Sequence, residues 1–320
     1  MSAITRRRLP VGVQSFVEIR KRGYLYVDKT ESIWNLVNGV KYNYLSRPRR
    51  FGKSVLVDTL QAYFEGRRDL FEGLSIMELE HDWAKHPVIR LDMSGAGAAS
   101  ESVRSYLDYI FNYYESIYEI KPRPNASLAV RFMAIISTAY RQTGQQVVIL
   151  IDEYDSPLQH SWLTPEHEAC TVIYREVFAV LKMADEMERF VFITGITKFT
   201  QISLFSVLNN ISNISFEPQF ATICGISKQE VVDNFMPEIK QMAEFNKWTT
   251  DETLNKLKDY YDGYHFCRHN MVDVYNPFSL INALYYKDLR SYWASSGATS
   301  LLSKFVNDME LHLDDFDHCS

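Results

Sequence analysis

The sequence predicts an α/β fold, a phosphate-loop sandwich followed by a smaller helical part. Three stretches carry that prediction. "VKYNYL" (40–45) reads as a strand, and "SRPRRFGKS" leads from it into the apolar helix "SVLVDTLQAYFE" (54–65). "QVVILIDEYD" (146–155) has a continuous apolar run, Val147 to Ile151, ending in the adjacent acids Asp152 and Glu153. An unbroken run of this kind marks a parallel strand buried on both faces. "FVFITGI" (190–196) is a further buried strand, with Thr194 near its end. Strands alternating with helices imply βαβ units and right-handed crossovers.

The other elements follow in chain order. "PVIRLDMS" (87–94) reads as a short strand, and "SVRSYLDYIFNYYESIY" (102–118) as a helix stopped before Pro122 and Pro124. Residues 165–189 form a long helix with Pro165 in its first turn. "ATICGIS" (221–227) is a weaker strand. Beyond it the pattern is helical: "SKQEVVDNFMPEIKQMAEF", "TDETLNKLKDYYDGY" and "NPFSLINALYY". The expected division is a core over residues 1–227 and a helical lid over 228–320. The acidic end "LHLDDFDHCS" is expected to fray.

Composition fits a globular chain of 320 residues, with 46% apolar, 14% aromatic and 23% charged residues. A net charge of -6 offers no global basic field for nucleic acid. The local clusters Arg6, Arg7, Arg8 and Arg20, Lys21, Arg22 read as a solvated face. Cys170, Cys224, Cys267 and Cys319 are far apart, which fits a reducing compartment and not a disulfide framework. No apolar h-region follows the N-terminal arginines, and no apolar run reaches the ~18 residues of a membrane span. A cytoplasmic protein without membrane partners is the expectation.

Gly52-Lys53-Ser54 closes a phosphate-binding loop of the pattern G-x-x-x-x-G-K-[ST], except that Arg47 stands at the first glycine. The helix start supplies convergent N–H groups and a favourable dipole. Lys53 would reach the phosphates and Ser54 would hold Mg²⁺. A hard cation takes a carboxylate as well, which Asp152 supplies at a strand end; Glu153 would polarise the attacking water. Thr194 is the expected γ-phosphate sensor on a strand between those of the loop and of the acids, with Thr197 as second choice. Asp92 reads as a turn cap. Cys267 and His269 in "CRH" have no second pair nearby, so no metal site is read there, and no G-x-S-x-G or H-E-x-x-H occurs. The absence of N/T-K-x-D favours ATP over GTP.

"LSRPRRFGKSVL", "VVILIDEYDSPL", "ITGITKFTQISLFSVLNN", "YYDGYHF", "VYNPFSLINAL" and the N-terminal "LPVGVQSFVEIRKRGYLYVDKT" together resemble the AAA-ATPase-like family of bacterial P-loop proteins, near the archaeal-type and signal-transduction ATPases. The resemblance spans residues 9 to 300. It implies an additional-strand P-loop sandwich with sheet order 5-1-4-3-2 and a loop of the form P-R-R-x-G-K-[ST]. Nucleotide contacts then fall on Pro48, Arg49, Arg50, Phe51, Gly52, Lys53, Ser54 and Val55. By the same analogy Asp28 in "YVDKT" lines the adenine or ribose; a capping box with Glu31 is its alternative. Family members often continue into a PD-(D/E)xK nuclease-like domain, which this chain is not expected to carry. The implied function is an ATP- and Mg²⁺-dependent, slowly hydrolysing switch. In it, Arg49 or Arg50 joins Lys53 in stabilising phosphoryl charge. An arginine from a second copy, Arg175 or Arg189, would complete the site in a homo-oligomer. The alternative is a non-hydrolysing nucleotide scaffold that recruits nucleic acid or protein. Arg47 and Pro48 should stiffen the loop and slow turnover.

Overall fold

The computed structural model describes residues 8–121, 123, 125–196, 210–267 and 272–292. Arg6, Arg7, Pro122, Pro124, Thr197, His269, Cys319 and the acidic end lie outside the described residues. Helices α1 (Phe16–Lys21) and α2 (Thr30–Val37) precede β1 (Tyr42–Ser46), which feeds α3 (Lys53–Phe64). Then come α4 (Ile76–Leu79), β2 (Val88–Asp92), α5 (Ser100–Ile117), α6 (Leu128–Thr143) and β3 (Val147–Asp152). Helices α7 (Ser156–Ser161) and α8 (Glu166–Met183) lead to β4 (Glu188–Gly195) and the two-residue β5 (Ser212–Asn213). The chain continues through β6 (Ile226–Ser227), α9 (Lys228–Asn246), α10 (Thr250–Tyr261), β7 (Tyr264–His265), β8 (Asp273–Tyr275) and α11 (Pro277–Tyr286).

The main sheet has the order β2-β3-β4-β1-β5, all parallel. Read from the other edge this is 5-1-4-3-2, as the resemblance implies. The strand carrying Thr194 does lie between the strands of the loop and of the acids. Alternation along each strand sorts the core into two layers. Tyr42, Tyr44, Ile149, Ile151, Val191 and Ile193 pack with α5, α6 and α8, while Leu45, Val148, Leu150, Phe190 and Phe192 pack with α2 and α3. All of β3 is buried. Each large apolar side chain so placed stabilises the fold by about 1.5–3 kcal/mol.

Four sequence expectations are corrected. The stretch 221–227 is not a strand of the main sheet. Gly225 takes φ +101°, and only Ile226 and Ser227 extend, pairing antiparallel with β8. The edge strand is Ser212–Asn213 instead. The long helix ends at Met183, because Glu188 and Arg189 already belong to β4. The C-terminal part is not purely helical: β6, β8 and β7 make a small antiparallel sheet that packs on α9. Helix α6, amphipathic and capped by the Ser127 hydroxyl, had no counterpart in the sequence reading. Residues from the N-terminal segment, Leu9, Val11, Leu25 and Val27, share a core with the C-terminal helices.

Candidate nucleotide-binding site

The carboxyl ends of the parallel strands set the site. Leu45 is in register with Thr194, Ile151 with Ile193, and Asp92 with Asp152. From Ser46 the chain turns through residues 47–52 into α3. Arg50 (φ +67°) and Gly52 (φ +88°) are both left-handed. For a non-glycine residue that backbone costs of order 1–2 kcal/mol. The Arg50 guanidinium lies 4.7 Å from the centre of the Phe278 ring of α11. Phe51 is buried against Tyr264 and Phe266.

Lys53 is the first residue of α3, and its Nζ donates to the carbonyls of Arg47 (3.0 Å) and Pro48 (3.1 Å). Burial pushes its pKa down, and the nearby acids Glu153, Asp152 and Asp155 oppose that. Arg47 points inward. It donates to the carbonyls of Ser46, Ser215 and Phe220 at 2.9, 2.7 and 3.0 Å, and its guanidinium covers Phe266 at 4.0 Å. The residue at the missing glycine is therefore a buried strut, a role the sequence reading did not assign.

Asp152 is buried and accepts from the Thr194 hydroxyl (2.6 Å) and the Glu153 N–H (3.0 Å), both on Oδ1. Thr194 thus orients a carboxylate in this structure. Glu153 has φ +48°, and Tyr154 N–H donates to the Thr194 carbonyl, fixing the turn to β4. Burial raises the Glu153 pKa, as do Asp152 and Asp92, while Lys53 and Arg49 pull it down. Asp155 accepts from Ile196 N–H at 2.9 Å. A Cβ on Gly195 would meet Tyr154 at 2.5 Å and Asp155 at 2.7 Å, so this turn requires glycine.

A cavity of about 440 Å³ opens beside the loop. Its polar end has Arg49, Arg50, Gly52, Lys53, Ser54 and Glu153; its apolar part has Ile19, Val27, Ile33, Phe235, Phe278 and Ile281. Val55 and Phe51 also line it. The volume and mixed lining suit a small organic anion. Lys29, in the wall, forms an ion pair with Glu230 of α9.

Asp28 is not among the lining residues. Its Oδ1 accepts from the Thr30 N–H and hydroxyl, and its Oδ2 from the Ser75 N–H and hydroxyl. Both oxygens join α2 to α4, so the structure places Asp28 in that link and outside the cavity lining. The Glu31 capping box does not form either, since α2 has no side-chain cap. Asp92 caps its turn, as expected, through Ser94 N–H. Arg189 donates to the Val37 carbonyl at the start of β4, the end of the sheet away from Thr194; Arg175 pairs with Glu168 on α8.

Among the described residues no group of three or more His, Cys, Asp or Glu could hold a metal ion, and no helix is long and apolar enough to cross a membrane. A Mg²⁺ site made of Ser54, Asp152 and ligand phosphates needs no such group. Hydroxyl and carboxylate oxygens are the donors that this ion takes.

A family model described as "Predicted AAA-ATPase" matches residues 10–205. The chain belongs to the AAA-ATPase-like family. A protein of Azotobacter chroococcum mcd 1, described as an uncharacterized protein in the vnfD 5′ region, is 32% identical over 309 residues, covering 95% of this chain. The chain spans 57% of that relative's length. Among solved structures, Cdc6p of Pyrobaculum aerophilum aligns at 13% identity and TM-score 0.36, over 92% of this chain and 64% of its own. The Aeropyrum pernix ORC2 protein aligns at 11% and 0.41, over 84% and 69%. In this AAA-ATPase-like chain the side chains of Lys29, Arg47 and Phe278 were not legible as parts of the site. Their partners come from segments far off in sequence.

Proposed function

We propose that the protein binds ATP with Mg²⁺ and hydrolyses it slowly, as a nucleotide-dependent switch. The observation that carries this reading is one juxtaposition. The loop ending in left-handed Gly52 and Lys53 meets Glu153, which follows the buried Asp152 at the end of β3, in the lining of a single cavity. Lys53 and the N–H groups opening α3 bind the phosphates. Ser54 and Asp152 hold Mg²⁺, which when bound neutralises phosphate charge. Glu153 orients and deprotonates water, Arg49 and Arg50 offset developing charge, and Thr194 fixes Asp152 or contacts the γ-phosphate. The apolar part of the cavity takes the base. Residues 228–320 act as a lid on a core of 1–227, and a second copy would supply an arginine, Arg175 or Arg189.

The experiment is phosphate release with ATP and Mg²⁺. Wild type should turn over slowly, and Glu153→Gln should keep binding while losing at least about 100-fold in release, the usual scale for removing a positioned base. A second reading, a nucleotide-binding scaffold without hydrolysis, is favoured by the burial of Glu153, which disfavours its charged form. Bound ATP with no phosphate released by wild type would select it.

A further inference from the structure

We infer that Arg90, on the edge strand β2, is a positioning residue for Asp152. Its guanidinium faces Asp152 Oδ2 as a loose charged neighbour, while Asp58 holds it back so that Oδ2 stays open to a divalent cation. This rests on the nucleotide–Mg²⁺ reading of the site.

Asp152 is only 1% exposed. Its neighbours Glu153 and Asp92 are acids, and Lys53 and Arg90 are cations near it. Both of its hydrogen bonds fall on Oδ1. Oδ2 faces Arg90 Nη2 at 3.9 Å, close enough for charge attraction and too far for a hydrogen bond. The register explains the reach: Arg90 pairs with Leu150 and so points to the same face of the sheet as Asp152.

The guanidinium is restrained from its other side. Nη1 donates to Asp58 Oδ1 (3.2 Å) and Gln61 Oε1 (3.3 Å), both on α3, the helix that follows the loop. Asp58 is itself fixed, because its Oδ2 accepts from the Ser15 hydroxyl (2.8 Å) and the Val17 N–H (3.3 Å). The Arg90 backbone N–H is anchored to the Tyr114 hydroxyl at 2.6 Å. Freed of these tethers, an arginine closes on a carboxylate as a bidentate pair and occupies both oxygens. The arrangement stops short of that limit, leaving a loose partner that a cation can displace.

The test is Mn²⁺ binding to the protein with ADP, read by electron paramagnetic resonance, with thermal melts alongside. Arg90→Gln should lower the melting temperature without metal and raise Mn²⁺ affinity at neutral pH by roughly three- to tenfold, the scale of one partly screened charge. Asp58→Asn should lower Mn²⁺ affinity by a similar factor, because it releases Arg90 onto Asp152. Arg90→Lys should stay near wild type. The opposite signs are the signature, since a purely structural role would weaken binding in both variants. If wild type binds Mn²⁺ and the two variants match it within about twofold, or both bind more weakly, the inference is overturned alone. If wild type with ADP binds no Mn²⁺, the reading of the site falls and the inference with it. Should Arg90→Gln fail to fold, Asp58→Asn decides: weaker Mn²⁺ binding supports the inference, and unchanged or tighter binding overturns it.

Discussion

Arg47 stands where a phosphate loop has glycine, yet its side chain serves the interior. Three carbonyls and one ring receive it, and only its buried Nε is left without a hydrogen-bond partner. Restoring the glycine with Arg47→Gly should therefore destabilise the fold, by about 3 kcal/mol, through lost hydrogen bonds and a cavity. Urea denaturation checks this; an unchanged or higher midpoint would return Arg47 to the role of a loop stiffener. Its role could not be read from the sequence, because the carbonyls of Ser215 and Phe220 come from some 170 residues away. Lys53, Ser54, Asp152 and Glu153 were legible because each sits at a fixed offset from a strand end. Glu153 also carries a pH prediction. Its folded pKa is raised above 4.5, and the base works only when ionised. The acid limb of phosphate release against pH should accordingly lie above 4.5, and it should vanish with the activity in Glu153→Gln.

At the scale of elements, β3 and β4 were readable because continuous apolar runs have few alternatives. Strand β5 was not: two residues carry no periodicity, and only the open edge of β1 makes them a strand. Strands β6, β7 and β8 are short for the same reason. At the start of β4 the buried Tyr42 and Glu188 join a network that reaches the exposed Asp185. The Tyr42 hydroxyl meets Glu188 Oε2 at 2.6 Å and Asp185 Oδ1 at 2.8 Å. One hydroxyl proton cannot serve both oxygens, so a protonated Glu188 fits, and burial raises its pKa from 4.5 to about 8. Below pH 4.5 folded and unfolded chains are both protonated, and this contribution to stability is fully present. As pH rises from 4.5 to 8 the unfolded chain gives up a proton that the folded one keeps, so stability falls, by as much as about 5 kcal/mol. Above 8 the effect levels off. Urea melts at pH 5 and pH 8 measure it; Glu188→Gln should flatten the difference, and an equal slope in that variant would refute the assignment.

Over the whole molecule, the phosphate loop is fastened to the C-terminal part as well as to its own helix. Arg47 and Phe51 pack on Phe266, Phe51 on Tyr264, and Arg50 on Phe278. Lys29 ties the N-terminal segment to Glu230, which also completes the capping box of α9. Burial lowers the Lys29 pKa, and Glu230 is the main group opposing that. Lys29→Met should loosen the cavity wall and raise the nucleotide dissociation constant by roughly three- to tenfold, the scale of one partly buried ion pair. Calorimetry checks it, and an unchanged constant would make the ion pair irrelevant to the cavity. The helices α9, α10 and α11 were visible as a change of periodicity after residue 227. The sharing of one apolar cluster by Leu9, Leu25 and α9 was not, since only the folded chain brings those segments together.

The central claim is that the loop ending in Lys53 holds the phosphates of a nucleotide. Titration calorimetry of ATP with Mg²⁺ into wild type and Lys53→Ala, at matched fold stability, tests it most directly. Saturable binding by wild type with loss of at least about tenfold in affinity for the variant is the predicted result, given one buried charge-assisted contact. Equal affinity in the two proteins would contradict it.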